Sequence, residues 1–554
     1  MTNNAFDPAA HARAMRAAGF WLDKTPDDFL AASIERTPDK AALVGYRADR
    51  LDHDAPVRIS YRELGDKVAL AAGALRGLGV QAGDVVAVQV PNWWEFVVVS
   101  LACGRIGAVV NPLMPIFRER ELEFMLGFAE AKVLVVPAMF RGFDHAAMAA
   151  SLQSRLPKLL HVIVVDGQGD DAFDRVLLGG TARVEPAATP AASALQPGDL
   201  SVMMFTSGTT GSPKGVMHSA NTLLACNRAL SGRFGLTTDD VLLACSPVGH
   251  MTGYAAVMML GIYLGSTVVL QDIWDGKRGV ALMAAEGVTY TAASSPFLSD
   301  ICNAVTEGAP RPDRLRSFLC GGAPIPPVLI ERAARELDLK VCSLWGMTES
   351  LSSTLTEPAR AADKSASTDG RALDGVGIRI MDFDGKPMLP GETGRLMVRG
   401  AQMSLGYYKR PDIATYDAEG WFDTGDLAYM DAEGYIRING RTKDVLIRGG
   451  ENVPVVEIEA LLYKHPAVAM AAIVGFPDDR LGERACAFVE LRPGATLDLA
   501  AVQAYMAECK VAKQYWPERV EVLDMVPRTP SGKIQKYLLK ERVKDFRLSA
   551  AAGA

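Results

Sequence analysis

The first two hundred residues alternate between two hydrophobic patterns, and this alternation constrains the fold more than any other feature of the sequence. Residues 61–79 (YRELGDKVALAAGALRGLG) carry apolar side chains at helical spacing, and residues 93–110 repeat that pattern. Short apolar runs typical of buried strands stand between and after them, at DVVAVQV (84–90), AKVLVVP (131–137) and HVIVVD (161–166). Strands that alternate with helices predict a mostly parallel sheet covered by helices on both faces.

The pattern changes twice further along the chain, and these changes predict the domain organisation. A second α/β run covers residues 200–345, and residues 370–440 consist of short apolar runs separated by Gly and Pro turns. After residue 442 the helix and strand patterns begin again. We therefore predict an α/β protein whose large N-terminal domain (1–442) has two parallel-type α/β subdomains and a β-rich subdomain. A small, mobile α+β domain (443–554) follows it.

Bulk composition excludes several classes of protein. The 554 residues are 49% apolar and 22% charged, which are ordinary values for globular domains. The formal net charge of −7 disfavours a nucleic-acid-binding protein, which needs a basic face. Eight cysteines without a CxxC pair suit a reducing compartment, and the N-terminal residues lack the apolar segment of a secretory signal. We expect a cytoplasmic protein.

One uncharged stretch is long enough to span a bilayer. Residues 241–271 contain no Asp, Glu, Lys or Arg. Pro247 and four glycines interrupt the stretch, and STVVL at its end is typical of a strand. We expect a buried helix followed by a strand, and no membrane span.

The loop TSGTTGSPKG (206–215) resembles a phosphate-binding loop but departs from the Walker pattern. The second Walker glycine is replaced by Pro213, and Gly215 stands where the magnesium-binding hydroxyl belongs. Its backbone N–H groups, its hydroxyls and Lys214 are nevertheless suited to hold an anionic oxygen. A flexible glycine turn explains the loop equally well when it is taken alone.

Four further motifs follow the loop. LWGMTES (344–350) ends a predicted strand, and GWFDTGD (420–426) places two aspartates in a predicted glycine turn. GRTKDVLIRGGENV (440–453) lies at the predicted domain junction, and PRTPSGKIQK (527–536) presents Lys533 after a Pro/Gly-rich loop. Each motif alone has an ordinary explanation, such as a helix cap, a turn or a solvated lysine.

Together, in this order and spacing, the five motifs resemble the adenylate-forming superfamily of acyl-CoA synthetases, adenylation domains and luciferases. The resemblance covers nearly the whole chain. It implies that a carboxylate attacks the α-phosphate of ATP to give an acyl-adenylate and pyrophosphate, and that CoA then takes the acyl group. The implied cofactors are ATP, Mg²⁺ and coenzyme A, and the implied metal ligand is Glu349.

The resemblance also assigns the nucleotide contacts. The β- and γ-phosphates are assigned to the loop residues Thr206, Ser207, Gly208, Thr209, Thr210 and Lys214. The adenine is assigned to Gly321, Gly322, Ala323 and Trp345, and Gly346, Met347 and Thr348 are assigned to the ATP/AMP site without a named part of the nucleotide. Trp345 stands where the family usually has Tyr or Phe, and its ring is expected to stack on the adenine. Asp426 is expected to accept both ribose hydroxyls, which a carboxylate does well, and Arg441 is a second ribose contact.

Catalysis is assigned to Lys533, Thr348 and His250. Lys533 is expected to neutralise charge on the attacking carboxylate and the α-phosphate, which is typically worth about 3 kcal/mol in the transition state. Lys443 matches the family's hinge, about which the C-terminal domain swings between the two half-reactions. The swing is expected to bring Arg448, Gly449 and Gly450 to the CoA.

The acyl pocket is assigned to His250, Met251, Gly253, Tyr254 and Phe297. His250 resembles the ring that gates the pocket, with a hydrogen-bonded core histidine as the alternative. The wall segments 247–254, 294–300, 321–324 and 347–352 contain no Lys or Arg, which disfavours a second carboxylate on the acid. Their small residues Gly253, Ala323 and Ser350 are expected to leave room for an acid larger than acetate.

The whole sequence looks most like cyclohexanecarboxylate–CoA ligases, with medium-chain fatty-acyl and benzoate ligases as close alternatives. A stand-alone adenylation protein that loads a carrier protein is an alternative of another class. An amino-acid-activating member would have an Asp near His250, and residues 247–254 contain none. A catalytically silent scaffold of the same fold is a third alternative.

Lys533 also lies in a sequence suited to modification. PRTPSGK, a Pro followed by four residues and Gly-Lys, resembles the target of bacterial protein acetyltransferases that switch off acyl-CoA synthetases, with a deacetylase restoring them. Acetylation would remove the charge and the ammonium donors. The alternative is that the motif serves catalysis alone.

We predict that Lys533→Ala abolishes formation of the acyl-adenylate but keeps most thioester formation from supplied acyl-AMP. The lysine is expected to face the pocket only in the first half-reaction. Single-turnover assays of each half-reaction measure this, and an equal loss in both would refute the swing of the C-terminal domain.

Overall fold

The computed structural model of the chain describes residues 6–48, 55–179, 195–206, 213–322, 325–413, 416–441, 446–448, 451–453, 455–478, 480–529, 534–544 and 546. The strands in these ranges are β1 Ala41–Tyr46, β2 Val57–Ser60, β3 Val85–Val88, β4 Val109–Pro112, β5 Val133–Pro137, β6 Met139–Phe140, β7 Phe143–Asp144, β8 His161–Val165, β9 Leu200–Thr206, β10 Lys214–Ser219, β11 Val241–Ala244, β12 Thr267–Gln271, β13 Tyr290–Ala293, β14 Ser317–Gly321, β15 Lys340–Met347, β16 Leu351–Leu355, β17 Arg371–Ala372, β18 Val376–Met381, β19 Gly394–Gly400, β20 Phe422–Met430, β21 Ile436–Arg441, β22 Leu446–Arg448, β23 Glu451–Val453, β24 Val468–Asp478, β25 Gly482–Leu491 and β26 Arg519–Leu523.

The helices of the same ranges are α1 Pro8–Ala17, α2 Pro26–Arg36, α3 Tyr61–Gly77, α4 Trp94–Ile106, α5 Glu119–Ala129, α6 His145–Arg155, α7 Phe173–Leu177, α8 Ala220–Phe234, α9 Met251–Gly253, α10 Leu260–Leu264, α11 Gly276–Glu286, α12 Ser295–Thr306, α13 Pro327–Leu337, α14 Ala361–Lys364, α15 Val455–Lys464, α16 Leu499–Glu508 and α17 Lys536–Val543. A π-helical stretch, Tyr254–Met259, joins α9 to α10.

Local sequence explains where these helices begin and end. α3 begins at a capping box, in which the Ser60 hydroxyl accepts from the Glu63 amide and the Glu63 carboxylate accepts from the Ser60 amide. α4 ends at Gly107, whose φ of 77° lies in the left-handed region that glycine adopts without strain.

Two large sheets form the N-terminal domain, as the alternating pattern predicts. The six-stranded sheet has the order β10-β9-β4-β3-β5-β8, and the nine-stranded sheet has the order β17-β16-β15-β14-β13-β11-β12-β1-β2. Neighbouring strands from β9 to β8 and from β15 to β1 run parallel. Within the described parts of these two sheets, antiparallel pairs occur only at the edges.

The chain exchanges strands between the two sheets, which the division of the sequence into two successive runs did not predict. β1 and β2 come from the first run but pair in the nine-stranded sheet, where β1 lies beside β12. β9 and β10 come from the second run but complete the six-stranded sheet. One hydrophobic core therefore fills the space between the sheets, with α3, α4 and α8 inside it. α4 is apolar on nearly every side because it is covered on both faces.

The remaining residues form two smaller units. β18-β19-β20-β21 make an antiparallel four-stranded sheet, which confirms the β-rich subdomain. In the C-terminal domain α15, β24 and β25 occupy the predicted helix and strand segments, and β22, β23 and β26 complete the sheet. Of the helices described, none is long and apolar enough to cross a membrane. The predicted boundary at residues 442 and 443 lies outside the described residues and stays a prediction.

Candidate active site

The phosphate-type loop begins and ends on a pair of antiparallel strands. Thr206, the last residue of β9, stands opposite Lys214, the first residue of β10. This pairing holds the two ends of the loop side by side. Ser207, Gly208, Thr209 and Thr210 lie outside the described residues, so their contacts with phosphate stay predictions.

A segment of the β-rich subdomain, residues 405–408, runs along β10. The amides of Leu405 and Tyr408 donate to the carbonyls of Met217 and Gly215 at 2.8 Å, and the Met217 amide donates to Gly406 at 3.0 Å. These bonds complete the edge of the six-stranded sheet. They also fix the backbone on either side of Tyr407.

Tyr407 contacts two predicted ATP-site residues at once. Its hydroxyl donates to Glu349 Oε1 at 2.8 Å, and the Lys214 ammonium lies 4.9 Å from the centre of its ring. Burial, and then the charge of Glu349, raise the pKa of Tyr407, so the hydroxyl keeps its proton. Sequence reasoning missed this tyrosine, because tyrosine is not a residue type that marks a phosphate or metal site and GYYKRP (406–411) lies outside the five motifs.

Glu349 has the surroundings of a carboxylate that binds a metal ion together with the substrate. The side chain is buried, and Tyr407 occupies one of its two oxygens. No group of three His, Cys, Asp or Glu residues that could hold a metal ion occurs in the described parts of the chain. Mg²⁺ commonly binds to one or two carboxylates together with substrate phosphates. The residues present therefore fit a magnesium ion that arrives with ATP.

The GMTES turn is fixed by a second residue that sequence reasoning missed. His218 Nε2 donates to the Thr348 carbonyl at 2.7 Å, and its Nδ1 lies 3.1 Å from the Thr222 hydroxyl. Burial lowers the pKa of His218 to about 4, so the ring is neutral near pH 7. A side chain at Gly346 would overlap the Leu351 carbonyl, which explains the glycine near the end of β15.

The predicted adenine contacts lie at the carboxyl ends of neighbouring parallel strands. Gly321 ends β14 opposite Leu344 of β15, one residue before Trp345. A Cβ at Gly321 would come within 2.9 Å of the Leu344 carbonyl, and Gly322 has a φ of 81°. Ligands of open α/β sheets bind beyond such carboxyl ends. Ala323 lies outside the described residues.

Asp426 has a charged partner and a neutral one. Arg441 Nε lies 3.0 Å from its Oδ1, and Trp345 Nε1 donates to its Oδ2 at 2.9 Å. The prediction that Asp423 and Asp426 lie in a glycine turn is wrong, because both belong to β20. Gly425, with a φ of 72°, instead produces an irregularity inside that strand, where the pairing with β21 shifts register.

The contact of Trp345 differs from the expected one. Its indole edge is bonded to Asp426, and only 7% of its surface is exposed within a cluster that includes Ile380, Leu396 and Phe422. Stacking of the ring on adenine stays a prediction.

The predicted acyl-pocket residues divide into two groups. His250 caps α9, where its Nδ1 accepts from the Thr252 amide at 3.2 Å, and Met251 is buried behind it. Tyr254 and Phe297 make core contacts, with Phe96 of α4 and with Trp274 respectively.

Gly253 serves packing, and the expectation that it leaves room for the acid is wrong. A Cβ at this position would overlap the carbonyl oxygens of Pro247 and Ser246, so the space beside Gly253 is filled by backbone. Asp300, the one Asp in the wall segments, accepts from Trp274 Nε1 at 2.8 Å, and burial raises its pKa.

Arg448 is tied to the C-terminal domain itself. Its guanidinium lies 2.9 Å from Glu518 Oε1, and this hydrogen bond raises the pKa of Arg448. Lys443, Gly449, Gly450 and Lys533 lie outside the described residues. The hinge, the glycines at the CoA and the catalytic lysine therefore stay predictions.

The chain belongs to the AMP-binding enzyme family. Residues 30–408 match the family described as AMP-binding enzyme, and residues 457–533 match the AMP-binding enzyme C-terminal domain. It is an AMP-forming acid–CoA ligase by class, since it matches the family of AMP-binding enzymes and resembles named CoA ligases along nearly its whole length.

Two curated relatives and one solved structure illustrate this. The chain is 35% identical to the medium-chain fatty-acid–CoA ligase of Escherichia coli, over 96% of this chain and 92% of that protein. It is 34% identical to a salicylyl-CoA synthase / salicylate adenylyltransferase of Streptomyces, over 97% of each chain. Its structure is similar to that of ATP-bound MatB from Rhodopseudomonas palustris, with a TM-score of 0.81, 28% identity, and coverage of 94% of this chain and 99% of that chain.

We predict that His218 makes the stability of the N-terminal domain depend on pH between 6.5 and 4. Burial depresses the pKa of the folded ring to about 4, whereas an unfolded histidine titrates near 6.5. The stabilisation is therefore present above pH 6.5 and is lost as the pH falls through the folded pKa. Urea unfolding should show that the free energy of unfolding falls between pH 7 and pH 4, and that this decrease is about 3 kcal/mol smaller in His218→Gln than in the wild type. An equal decrease in both proteins would contradict a neutral, buried His218.

We predict that Tyr407→Phe lowers the apparent affinity for Mg²⁺ in adenylate formation, so that the half-saturating Mg²⁺ concentration rises. The phenyl ring keeps its place under Lys214, but Glu349 loses the donor that orients it. Loss of such a partner typically lowers metal affinity about tenfold or more. The half-saturating Mg²⁺ concentration at fixed ATP measures this. Tyr408→Phe is the matched control, because the described contacts of the Tyr408 ring are with Phe128 and the Lys409 ammonium, away from Glu349. An unchanged Mg²⁺ dependence in Tyr407→Phe would exclude the proposed orientation of Glu349.

Proposed function

We propose that this chain activates a carboxylic acid with ATP and transfers the acyl group to free CoA, and that the acid is hydrophobic and carries no charge besides the reacting carboxylate. The acid we propose first is cyclohexanecarboxylate or a similar alicyclic acid, with medium-chain fatty acids and benzoate as alternatives. The observation that carries the proposal is that residues 345–349 lie between two other ATP motifs. At one end Trp345 donates to Asp426, the predicted ribose contact. At the other end Glu349, the predicted metal ligand, accepts from Tyr407, whose ring lies beside Lys214 of the phosphate-type loop.

In the first half-reaction, a carboxylate oxygen of the acid forms a bond to the α-phosphorus. The bond from that phosphorus to the bridging oxygen of pyrophosphate breaks, and the electron pair leaves with pyrophosphate. Lys214 and the loop would hold the leaving phosphates. Lys533 would neutralise the charge that grows between the acid and the α-phosphate. Glu349 would hold Mg²⁺, which supplies shielding of the phosphate charges.

In the second half-reaction, the CoA thiol attacks the acyl carbonyl, and AMP leaves. We propose that the C-terminal domain turns about Lys443 between the two steps and presents Arg448, Gly449 and Gly450 to CoA. Glycines at the entrance permit a close approach of the pantetheine. A pantetheinylated carrier protein in place of free CoA is the alternative acceptor.

The choice of an uncharged acid is supported by the chemistry of the wall segments. They contain no Lys or Arg, and their one Asp accepts from Trp274. A second carboxylate on the acid would find no Lys or Arg partner among these side chains. The names of the two relatives, a medium-chain fatty acid ligase and a salicylate ligase, also describe hydrophobic acids without a second carboxylate.

We also propose that acetylation of Lys533 switches off the first half-reaction. The support is the PRTPSGK sequence and the loss of positive charge on acetylation. Mass spectrometry of the enzyme from its own host, and after treatment with acetyltransferase and acetyl-CoA, examines this. An unmodified Lys533 in both samples would dispose of the proposal.

We predict that kcat/KM for cyclohexanecarboxylate exceeds that for acetate by about three orders of magnitude, because each buried CH₂ contributes about 0.8 kcal/mol. AMP release and acyl-CoA formation with free CoA should be measured across cyclohexanecarboxylate, cyclohexenecarboxylates, benzoate, straight acids of four to ten carbons, and dicarboxylates. A preference for straight acids or for benzoate would select one of the alternatives. Comparable rates with acetate or with dicarboxylates would refute a hydrophobic, uncharged pocket. AMP release without acyl-CoA would favour a carrier protein.

A further inference from the structure

We propose that Trp345 is a positioning residue whose indole N–H fixes the Asp426 carboxylate so that it accepts both ribose hydroxyls, and that Trp345 thereby determines the preference for ribonucleotide over deoxyribonucleotide. This inference rests on the proposed use of ATP at this site. It assigns to the tryptophan a role that needs the edge of its ring, in addition to any contact of its face.

Among the described residues, the contacts of Asp426 leave at least one acceptor site on each oxygen. An ionised carboxylate offers about four lone-pair sites, two on each oxygen. Arg441 Nε forms an ion pair with Oδ1 at 3.0 Å, and Trp345 donates a hydrogen bond to Oδ2. Acceptor sites therefore remain on both oxygens of the same carboxylate. Two neighbouring hydroxyls, such as the 2′- and 3′-hydroxyls of a ribose, match this arrangement.

Trp345 is the more rigid of the two partners. Its side chain is packed among Ile380, Leu396 and Phe422, with 7% of its surface exposed, whereas the side chain of Arg441 is 37% exposed. A buried indole has few alternative rotamers, because neighbouring side chains fill the space around it. The nitrogen is also a donor only, so it does not compete for the ribose hydroxyls.

The backbone at Asp426 is fixed independently of Trp345. The Asp426 amide donates to the Thr424 hydroxyl at 3.0 Å, and that hydroxyl donates to the Leu396 carbonyl of β19 at 2.8 Å. Loss of the indole N–H should therefore leave the main chain in place and release only the rotation of the carboxylate. A buried Oδ2 without its donor would also seek another partner.

A carboxylate held for two hydroxyls discriminates against a sugar that has only one. Sites built to bond a substrate hydroxyl reject the analogue without it, since buried polar groups are then left unpaired. A carboxylate that rotates makes one good bond to either sugar. The loss of Trp345 should accordingly weaken binding of AMP more than binding of 2′-deoxyAMP.

Trp345→Phe is the direct test, because it keeps an aromatic ring and removes the donor. Trp21→Phe is the matched control, since Trp21 is also buried and its Nε1 donates to the Ala401 carbonyl at 2.7 Å, away from Asp426. The measurements are calorimetric dissociation constants for AMP and 2′-deoxyAMP, and kcat and KM for ATP and 2′-deoxyATP in adenylate formation.

We expect the preference of the wild type for AMP over 2′-deoxyAMP to fall about tenfold in Trp345→Phe, as the loss of one hydrogen bond to a charged group implies. KM for ATP should rise by a similar factor, kcat should change less, and Trp21→Phe should keep the wild-type preference. An unchanged preference in folded Trp345→Phe overturns the proposal. An equal loss of affinity for both nucleotides also overturns it, because stacking alone would produce that result.

A second variant covers the case in which Trp345→Phe does not fold. Replacement of Trp345 by 3-benzothienylalanine keeps the shape of the indole and exchanges its N–H for sulfur, and the same loss of preference is expected. Failure of the proposed function has a different signature, because the wild type would then bind neither nucleotide and form no adenylate. If the wild type binds AMP and the isosteric variants keep its preference for AMP over 2′-deoxyAMP, the role of Trp345 is refuted and the proposed function is not.

Discussion

The backbone hydrogen bonds between β10 and residues 405–408 are the interaction on which the candidate site depends. They join the β-rich subdomain to the strand that ends the phosphate-type loop, over three bonds of 2.8 to 3.0 Å. Tyr407 lies within this pairing, and its position between Lys214 and Glu349 follows from it. Without this pairing, Tyr407 would no longer fix the position of Glu349 relative to the phosphate-type loop. The geometry of the site is therefore a property of how two subdomains meet.

The same principle extends to the other end of the site. β15 carries Trp345 near its carboxyl end, and β20 of the four-stranded sheet carries Asp426. The Trp345 indole N–H donates to the Asp426 carboxylate and so links the two sheets. On the opposite side, His218 of β10 holds the Thr348 carbonyl. Residues 345–349 are thus held from both neighbouring sheets, which suits a segment that must keep two carboxylates at a fixed separation.

Local structure was predictable from the sequence because it depends on local patterns. The helical spacing of residues 61–79 became α3, and the apolar run DVVAVQV became β3. The uncharged stretch 241–271 forms the predicted helical turns followed by β12, but it begins with β11, a strand that the prediction omitted. The five motifs identified the family, which the matches at residues 30–408 and 457–533 confirm.

Long-range pairing was not predictable in the same way. The exchange of β1 and β2 into the nine-stranded sheet joins Leu43 to Val268, and no local pattern records which distant strand a buried strand will choose. The parts played by Tyr407 and His218 depend on contacts across 58 and 130 residues of sequence. Gly253 shows the converse, because its small size suggested an open pocket, whereas backbone carbonyls occupy that space.

Acid-dependent exchange of labelled pyrophosphate into ATP, measured without CoA, tests the central claim most directly. The exchange reports a reversible acyl-adenylate and requires ribose, phosphate and acid sites to act together. The account predicts that exchange requires ATP and a hydrophobic, uncharged acid, and that Asp426→Asn weakens it. Exchange that needs CoA, or formation of ADP in place of AMP, would contradict an acyl-adenylate formed at this site.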